Sequence, residues 1–114
     1  PPKEFLNLLE MFEKNTVYAN YDTGNSASLG YNVNEEFKIL KGKIKNIHLK
    51  DRILGGTTVP LGLGNTNFEE FFKTLKKSEY SGDLIIQAAR IEEMKPEQNC
   101  IKYLNFIKEY LDKY

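Results

Sequence analysis

Three short runs, each apolar or alternating in character and each ending in polar residues ahead of a loop, limit what this chain can fold into more than any other feature. The middle run, Ile44-Lys-Asn-Ile-His-Leu-Lys-Asp51, carries the only histidine, His48, between hydrophobic neighbours and ends abruptly in charge. The first, Thr16-Val-Tyr-Ala-Asn-Tyr-Asp22, ends in an acid followed by the turn residues Thr23, Gly24 and Asn25. The third, Asp83-Leu-Ile-Ile-Gln-Ala-Ala-Arg90, holds a polar Gln87 inside an otherwise apolar stretch and stops at an arginine. Each run precedes a loop and then a helix-like segment, the alternation expected of βα units built on a parallel sheet. Strands are therefore expected at about 16–22, 44–50 and 83–89.

The segments between them read as helices and loops. Pro1 and Pro2 precede residues 3–14, where Phe5, Leu8, Leu9 and Phe12 recur at helical spacing. Residues 22–26 read as a loop. Residues 34–41 read as a short helix with Asn34 as its cap, Phe37 and Leu40 facing inward and Gly42 as its stop. Residues 52–67 hold Gly55-Gly56, Pro60, Gly62 and Gly64 and read as a long loop, of the kind that more often serves function than not. Asn67 is placed to cap a helix with Phe68, Phe71, Phe72 and Leu75 on its apolar face. The last helix, residues 97–113, is expected to bury Ile101, Leu104, Ile107 and Leu111.

With 114 residues the chain is the size of one domain. Its 16 basic and 16 acidic residues cancel, so no global field favours nucleic acid or an anionic membrane. One cysteine, Cys100, excludes an internal disulfide, and its place on the terminal helix suggests a packing role. No apolar run is long enough to span a bilayer and no signal peptide is evident, so a cytoplasmic setting is expected. The chain opens on proline rather than methionine and enters helix-like sequence at once, which suggests a fragment or a processed product.

Ligands of parallel βα sheets are met at the carboxyl ends of the strands. Asp22, His48, Lys50, Gln87 and Arg90 lie at or near those ends. Asp22 and His48 together offer an oxygen and an imidazole nitrogen, a mixture that suits Mn²⁺, Zn²⁺, Co²⁺ or Mg²⁺. Residue pattern alone is better met by Asp22 as a turn former and His48 as a hydrogen-bonded core residue. Lys50 and Arg52 can engage phosphate or carboxylate, or stand as solvated loop charges. Gln87 is expected inside a buried strand, where its amide must be hydrogen-bonded or coordinate something.

Four motifs in register carry a resemblance: Asp22-Thr-Gly-Asn25; His48-Leu-Lys-Asp51; Val59-Pro-Leu-Gly-Leu-Gly64 followed by Phe68; and Tyr80-Ser-Gly-Asp-Leu-Ile-Ile-Gln87. Together they resemble the xylose isomerase-like barrel superfamily of sugar isomerases and epimerases. The resemblance implies a partial (β/α)8 TIM barrel: the last three βα units preceded by a helix, in a single fragment spanning residues 1–114. It also implies a divalent metal (Mn, Zn, Co or Mg) held by two glutamates, an aspartate and a histidine. Asp22 matches the aspartate and His48 the histidine; Gln87 falls where the second glutamate is expected, and the first lies outside the sequence, so the site is incomplete.

In such epimerases the two glutamates also act as acid and base beside a carbonyl, through an enediolate. Glutamine has no proton to exchange at useful pH, so Gln87 at that catalytic position cannot be a general base, although its carbonyl is still a candidate metal ligand beside Asp22 and His48, without the negative charge. The expected function is a metal-dependent sugar or sugar-phosphate isomerase or epimerase, with a non-catalytic sugar-binding or scaffold homologue as the alternative. A barrel-type apurinic endonuclease relative ranks third, since those enzymes use additional histidines. Asn25, Lys50 and Arg90 are placed to meet substrate hydroxyls or a phosphate. Three strands cut from a closed sheet leave open edges, so either the missing barrel half or a second copy of the chain is expected to cover them.

Overall fold

The computed structural model describes residues 1–13 and 16–114. Helix α1 (Pro2–Glu10) leads to strand β1 (Ala19–Asp22), helices α2 (Thr23–Ser28) and α3 (Val33–Ile39), and strand β2 (Ile44–Leu49). A small hairpin of β3 (Asp51–Arg52) and β4 (Thr58–Val59) follows, then α4 (Phe68–Ser78), β5 (Leu84–Ile86) and α5 (Pro96–Lys113). Strands β1, β2 and β5 form one sheet in that order, with β2 central and both pairings parallel.

Alternation along these strands sorts their side chains onto two faces. Ala19, Tyr21, Ile47 and Leu49 are buried on the face that the helices cover, and Leu84 and Ile86 pack there too. Phe71 of α4 lies at the centre of that layer, 1 % exposed, stacked 6.1 Å from Tyr21 and edge-on to Phe37 and Phe72. Asn67 caps α4 through its side-chain oxygen, and a left-handed Glu79 ends it. Lys113 and Tyr114 of the terminal segment hydrogen-bond Glu69 of α4, and Lys113 above all holds that carboxyl down to about 2.

Several expectations shift. Leu9 alone of the four apolar positions on the first helix is buried, while Phe5, Leu8 and Phe12 are exposed; the helix closes at Glu10, and Lys14 lies outside the described residues. The expected loop after Asp22 is a helical turn, because Asp22 accepts a hydrogen bond from the Asn25 amide and so caps α2. Asn32 rather than Asn34 caps α3; Asn34 instead binds Thr74 and Glu70 across to α4.

On α5 the buried positions are Asn99, Tyr103 and Ile107, while Ile101, Leu104 and Leu111 point outward at 59, 49 and 48 % exposure. Both sets have helical spacing, and periodicity cannot choose between them; the Tyr103 hydroxyl reaching the Ala89 carbonyl, and Asn99 bonding Ile91, show which stripe meets the sheet. Cys100 sits beside that stripe and is exposed, so it has no packing role here.

Two buried acids hold the carboxyl end of the sheet together. Asp51 is fully buried, and its carboxylate accepts hydrogen bonds from four backbone amides: Arg52 and Thr66 at 3.0 Å, Gly62 and Gly64 at 2.9 Å. A side chain on Gly64 would fall on the Asp51 carboxylate and the Arg52 carbonyl, so only glycine brings that amide close enough. The long connection is thus wrapped around one carboxylate.

Glu36 on α3 is 6 % exposed and accepts hydrogen bonds from the Tyr21 hydroxyl at 2.8 Å and from the Ser26 hydroxyl. Burial raises its carboxyl above the usual value, and the Ser26 and Tyr21 hydroxyls only partly offset that; burial likewise pushes the Tyr21 phenol up, aided by the charge of Glu36.

Two outcomes follow from these acids. Asp51→Ala strands four amides in a tight loop, and urea unfolding of the full-length protein should show a loss of at least about 3 kcal/mol; a loss under about 1 kcal/mol would contradict the anchoring role. For Glu36 the folded-state value lies above the unfolded one, so its contribution is fully present at low pH and is lost as pH rises from about 4.5 through the raised value. Wild-type stability relative to Glu36→Gln should therefore fall as pH climbs from 4.5 towards neutrality; urea midpoints showing a rise would contradict it.

Candidate active site

The face of the sheet turned away from the helices carries the polar strand residues. Pairing register sets Asn20 opposite Asn46, Asp22 opposite His48, and His48 opposite Ile85. The Asn46 amide donates to Asn20 Oδ1 at 3.2 Å, forming a polar layer one step below Asp22 and His48. Because neighbouring strands of a sheet lie about 4.8 Å apart, side chains paired this way on one face are immediate neighbours.

Gln87 lies just past β5, where its backbone amide donates to the Leu49 carbonyl at 2.9 Å and so extends the ladder beyond Ile86. Its side chain is exposed, not enclosed in a strand interior as expected. Ile85, one step below on the same face, is likewise 44 % exposed. The Gln87 amide oxygen lies 3.2 Å from His48 Nδ1. That oxygen can only accept, so Nδ1 is the donor in this contact, which turns Nε2 away from Gln87.

The other sequence candidates divide. Asn25, in the first turn of α2, donates its backbone amide to Asp22 Oδ1 at 2.8 Å, and its side-chain oxygen accepts from Arg52 Nη1 at 2.9 Å. Arg52 also binds the Gly56 carbonyl through Nη2 at 2.7 Å and Nε at 3.2 Å. Its guanidinium is a strut between the hairpin and α2, not the free anion clamp or solvated loop charge considered from sequence. Lys50 follows β2 and lies against α2, so closely that a side chain on Gly24 would meet the Lys50 backbone at 3.0 Å. Arg90 is exposed beyond β5, apart from the paired strand tips.

Sequence reasoning missed the residues that lock this end together. Thr23 Oγ1 donates to the Lys50 carbonyl at 2.6 Å and accepts from the Lys50 amide at 2.9 Å, stitching α2 to the end of β2. Thr66 Oγ1 reaches the same carbonyl at 3.2 Å. Asp51 had a readable signal, an acid ending a strand just before a glycine-rich loop that needs acceptors. Glu36 had none, since an acid in the first turn of a helix reads as ordinary solvated charge.

Asp22 and His48 supply oxygen and nitrogen donors of the kind borderline divalent ions accept. Their number falls short: among the described residues no group of three His, Cys, Asp or Glu is placed to hold a metal ion. Gln87 adds a neutral carbonyl. No helix among the described residues is long and apolar enough to cross a membrane.

Residues 2–110 match the family described as the xylose isomerase-like TIM barrel. The chain is 32% identical to an inosose dehydratase of Clostridium botulinum over 127 aligned positions, covering 94% of this chain and 42% of that protein. It is 29% identical to an L-ribulose-5-phosphate 3-epimerase of Shigella flexneri, covering 93% and 41%. The chain thus spans about two fifths of the length of these relatives. A D-tagatose 3-epimerase-like protein superposes with a TM-score of 0.79 at 24% identity, over 97% of this chain and 40% of that one. A xylose isomerase domain protein from Planctomyces limnophilus gives the same score at 22% identity, over 98% and 44%. Parallel strands with helices along one face are thus part of a TIM barrel, and the chain belongs to the xylose isomerase-like TIM barrel family.

Proposed function

We propose that the protein containing this chain moves a proton on the carbon beside a carbonyl of a polyhydroxylated ketone, a sugar or sugar phosphate, as an isomerase or epimerase. The observation that carries the reading is the contact between His48 and Gln87 beside Asp22, at the carboxyl ends of three parallel strands. Two relatives of different name fit the same chemistry. A dehydratase acting on an inosose and an epimerase acting at carbon 3 of a ribulose phosphate both begin with an acidic C–H next to a ketone.

Within that reading Asp22 and His48 hold part of a divalent metal site, of the Mn, Zn, Co or Mg class. Such an ion, when bound, would stabilise negative charge developing on the substrate oxygens. Asp22 Oδ1 is engaged by the cap of α2, so Oδ2 is the oxygen that would meet the ion; His48 would use Nε2, its ring oriented by Gln87. Gln87 keeps the ring in place and contributes no base. Further ligands and the proton-transferring groups come from the rest of the whole protein, which also covers the open edges of β1 and β5. Lys50, and Asn25 through its side-chain amide nitrogen, would meet substrate hydroxyls or a phosphate; Arg90, apart from the strand tips, would do so only from the rim.

One observation favours a second reading, a sugar-binding or scaffold protein that keeps the fold without the chemistry. The amide of Gln87 stands where an ionisable carboxylate would supply both charge and a base.

Metal titration of the full-length protein with Mn²⁺ tests the site. Asp22→Ala and His48→Ala should each weaken binding by at least about tenfold, and Gln87→Glu should tighten it by about tenfold. Failure of all of these proteins to bind would defeat the metal reading. On L-ribulose 5-phosphate, turnover by the natural protein supports the isomerase reading. Turnover only after Gln87→Glu supports the non-catalytic one.

A further inference from the structure

We propose that Glu36 is a positioning residue for the mouth: its buried carboxyl, bonded to Tyr21 and Ser26, fixes the turn that carries Asp22 and Asn25. This rests on the reading of Asp22 and Asn25 as site residues; the geometry itself involves only this chain.

Helix α2 has six residues, too few to be stable alone, since isolated helices shorter than about 12 residues are marginal in water. Its orientation therefore comes from the contacts that pin it. At its start, Asp22 caps the Asn25 amide and Thr23 clasps the end of β2. From the hairpin, Arg52 holds the Asn25 side chain and the Gly55 amide donates to the Ser28 carbonyl at 2.7 Å. Glu36 adds the tie to the strand itself, because it reaches both Tyr21, whose ring lies on the helix-covered face immediately before Asp22, and Ser26, one turn into α2. The two hydroxyls also meet each other at 3.3 Å.

The carboxyl stands on a rigid support. Its neighbour Phe37 is buried edge-on against Tyr21, 5.0 Å between ring centres, and against Phe71 at 6.2 Å. Fixing the Tyr21 hydroxyl on one face sets the direction of the next side chain, Asp22, on the other.

The arrangement is an expensive one for packing alone. A nearly buried acid with no basic partner is unfavourable, and the ion pairs among the described residues gather on exposed Glu69 instead. An apolar side chain would fill the space at less cost but could not hold two hydroxyls at once. Retaining the acid gives α2 a defined rotation.

Hydrogen exchange of the Asn25 amide, the donor in the Asp22 cap, tests this in the full-length protein without metal. Three variants are compared: Glu36→Ala, Glu36→Gln, and Phe72→Leu as a packing change in the same core that touches neither hydroxyl. At matched global stability, Glu36→Ala should exchange Asn25 at least about tenfold faster than Phe72→Leu, and Glu36→Gln should stay near the natural rate. Equal Asn25 exchange in Glu36→Ala and Phe72→Leu would overturn the inference.

If Glu36→Ala does not fold, Ser26→Ala and Tyr21→Phe each remove one hydroxyl and should give a smaller acceleration at the same amide. No acceleration in either would again overturn it. Mn²⁺ affinity should fall by about tenfold in Glu36→Ala and be restored in Glu36→Gln. Faster Asn25 exchange in a protein that takes up no Mn²⁺ would support the positioning role and count against the metal reading alone.

Discussion

Burial of one face of β2 is the constraint on which the rest depends. Ile47 and Leu49 are 0 and 1 % exposed, packed with Tyr21 of the neighbouring strand beneath Phe71 and the other rings of the helix layer. Removing such side chains from water is the largest favourable term available to a chain of this size, on the order of 2 kcal/mol each. Since alternate residues of a strand point opposite ways, seating Ile47 and Leu49 obliges Asn46 and His48 to face the other side. A slip of one residue would bury the imidazole and expose the isoleucine, so packing energy fixes the direction of the polar face.

Packing fixes direction but not the arrangement at the strand tips, where polar contacts take over. Asp51 gathers four amides of the glycine-rich connection, Thr23 fastens α2 to Lys50, and Arg52 braces the hairpin against Asn25. Each puts a strong acceptor or donor where the end of a strand leaves backbone groups without partners. The mouth is therefore built on a rim whose backbone is already satisfied. On the open face of the sheet, His48 and Gln87 contact each other and stay accessible to whatever approaches.

Much of this was legible because it follows from short-range rules. The three strands, their order in the chain and the Asn67 cap come from period-two runs and turn residues, and the structure keeps all of them with shorter strands. Asp22, His48 and Gln87 stood out because polar residues interrupt apolar runs near their ends. What was not legible depends on partners distant in sequence. Nothing local says that Tyr103 rather than Leu104 faces the sheet, that Arg52 is tied to Gly56, or that Glu36 is buried beneath Tyr21. The Gln87 side chain was misplaced for a related reason. An apolar run reads as a buried strand, yet Ile85 of β5 is exposed while its neighbours Leu84 and Ile86 pack against the helix layer.

The central claim is that the tips of β1, β2 and the segment after β5 bring an acid, an imidazole and an amide to one pocket. Anomalous diffraction from crystals of the full-length protein grown with Mn²⁺ tests it most directly. The account predicts a peak about 2.2 Å from both an Asp22 carboxylate oxygen and His48 Nε2, with the Gln87 amide beside the ring. A peak held by other residues, or Asp22 and His48 on opposite faces of the sheet, would contradict it.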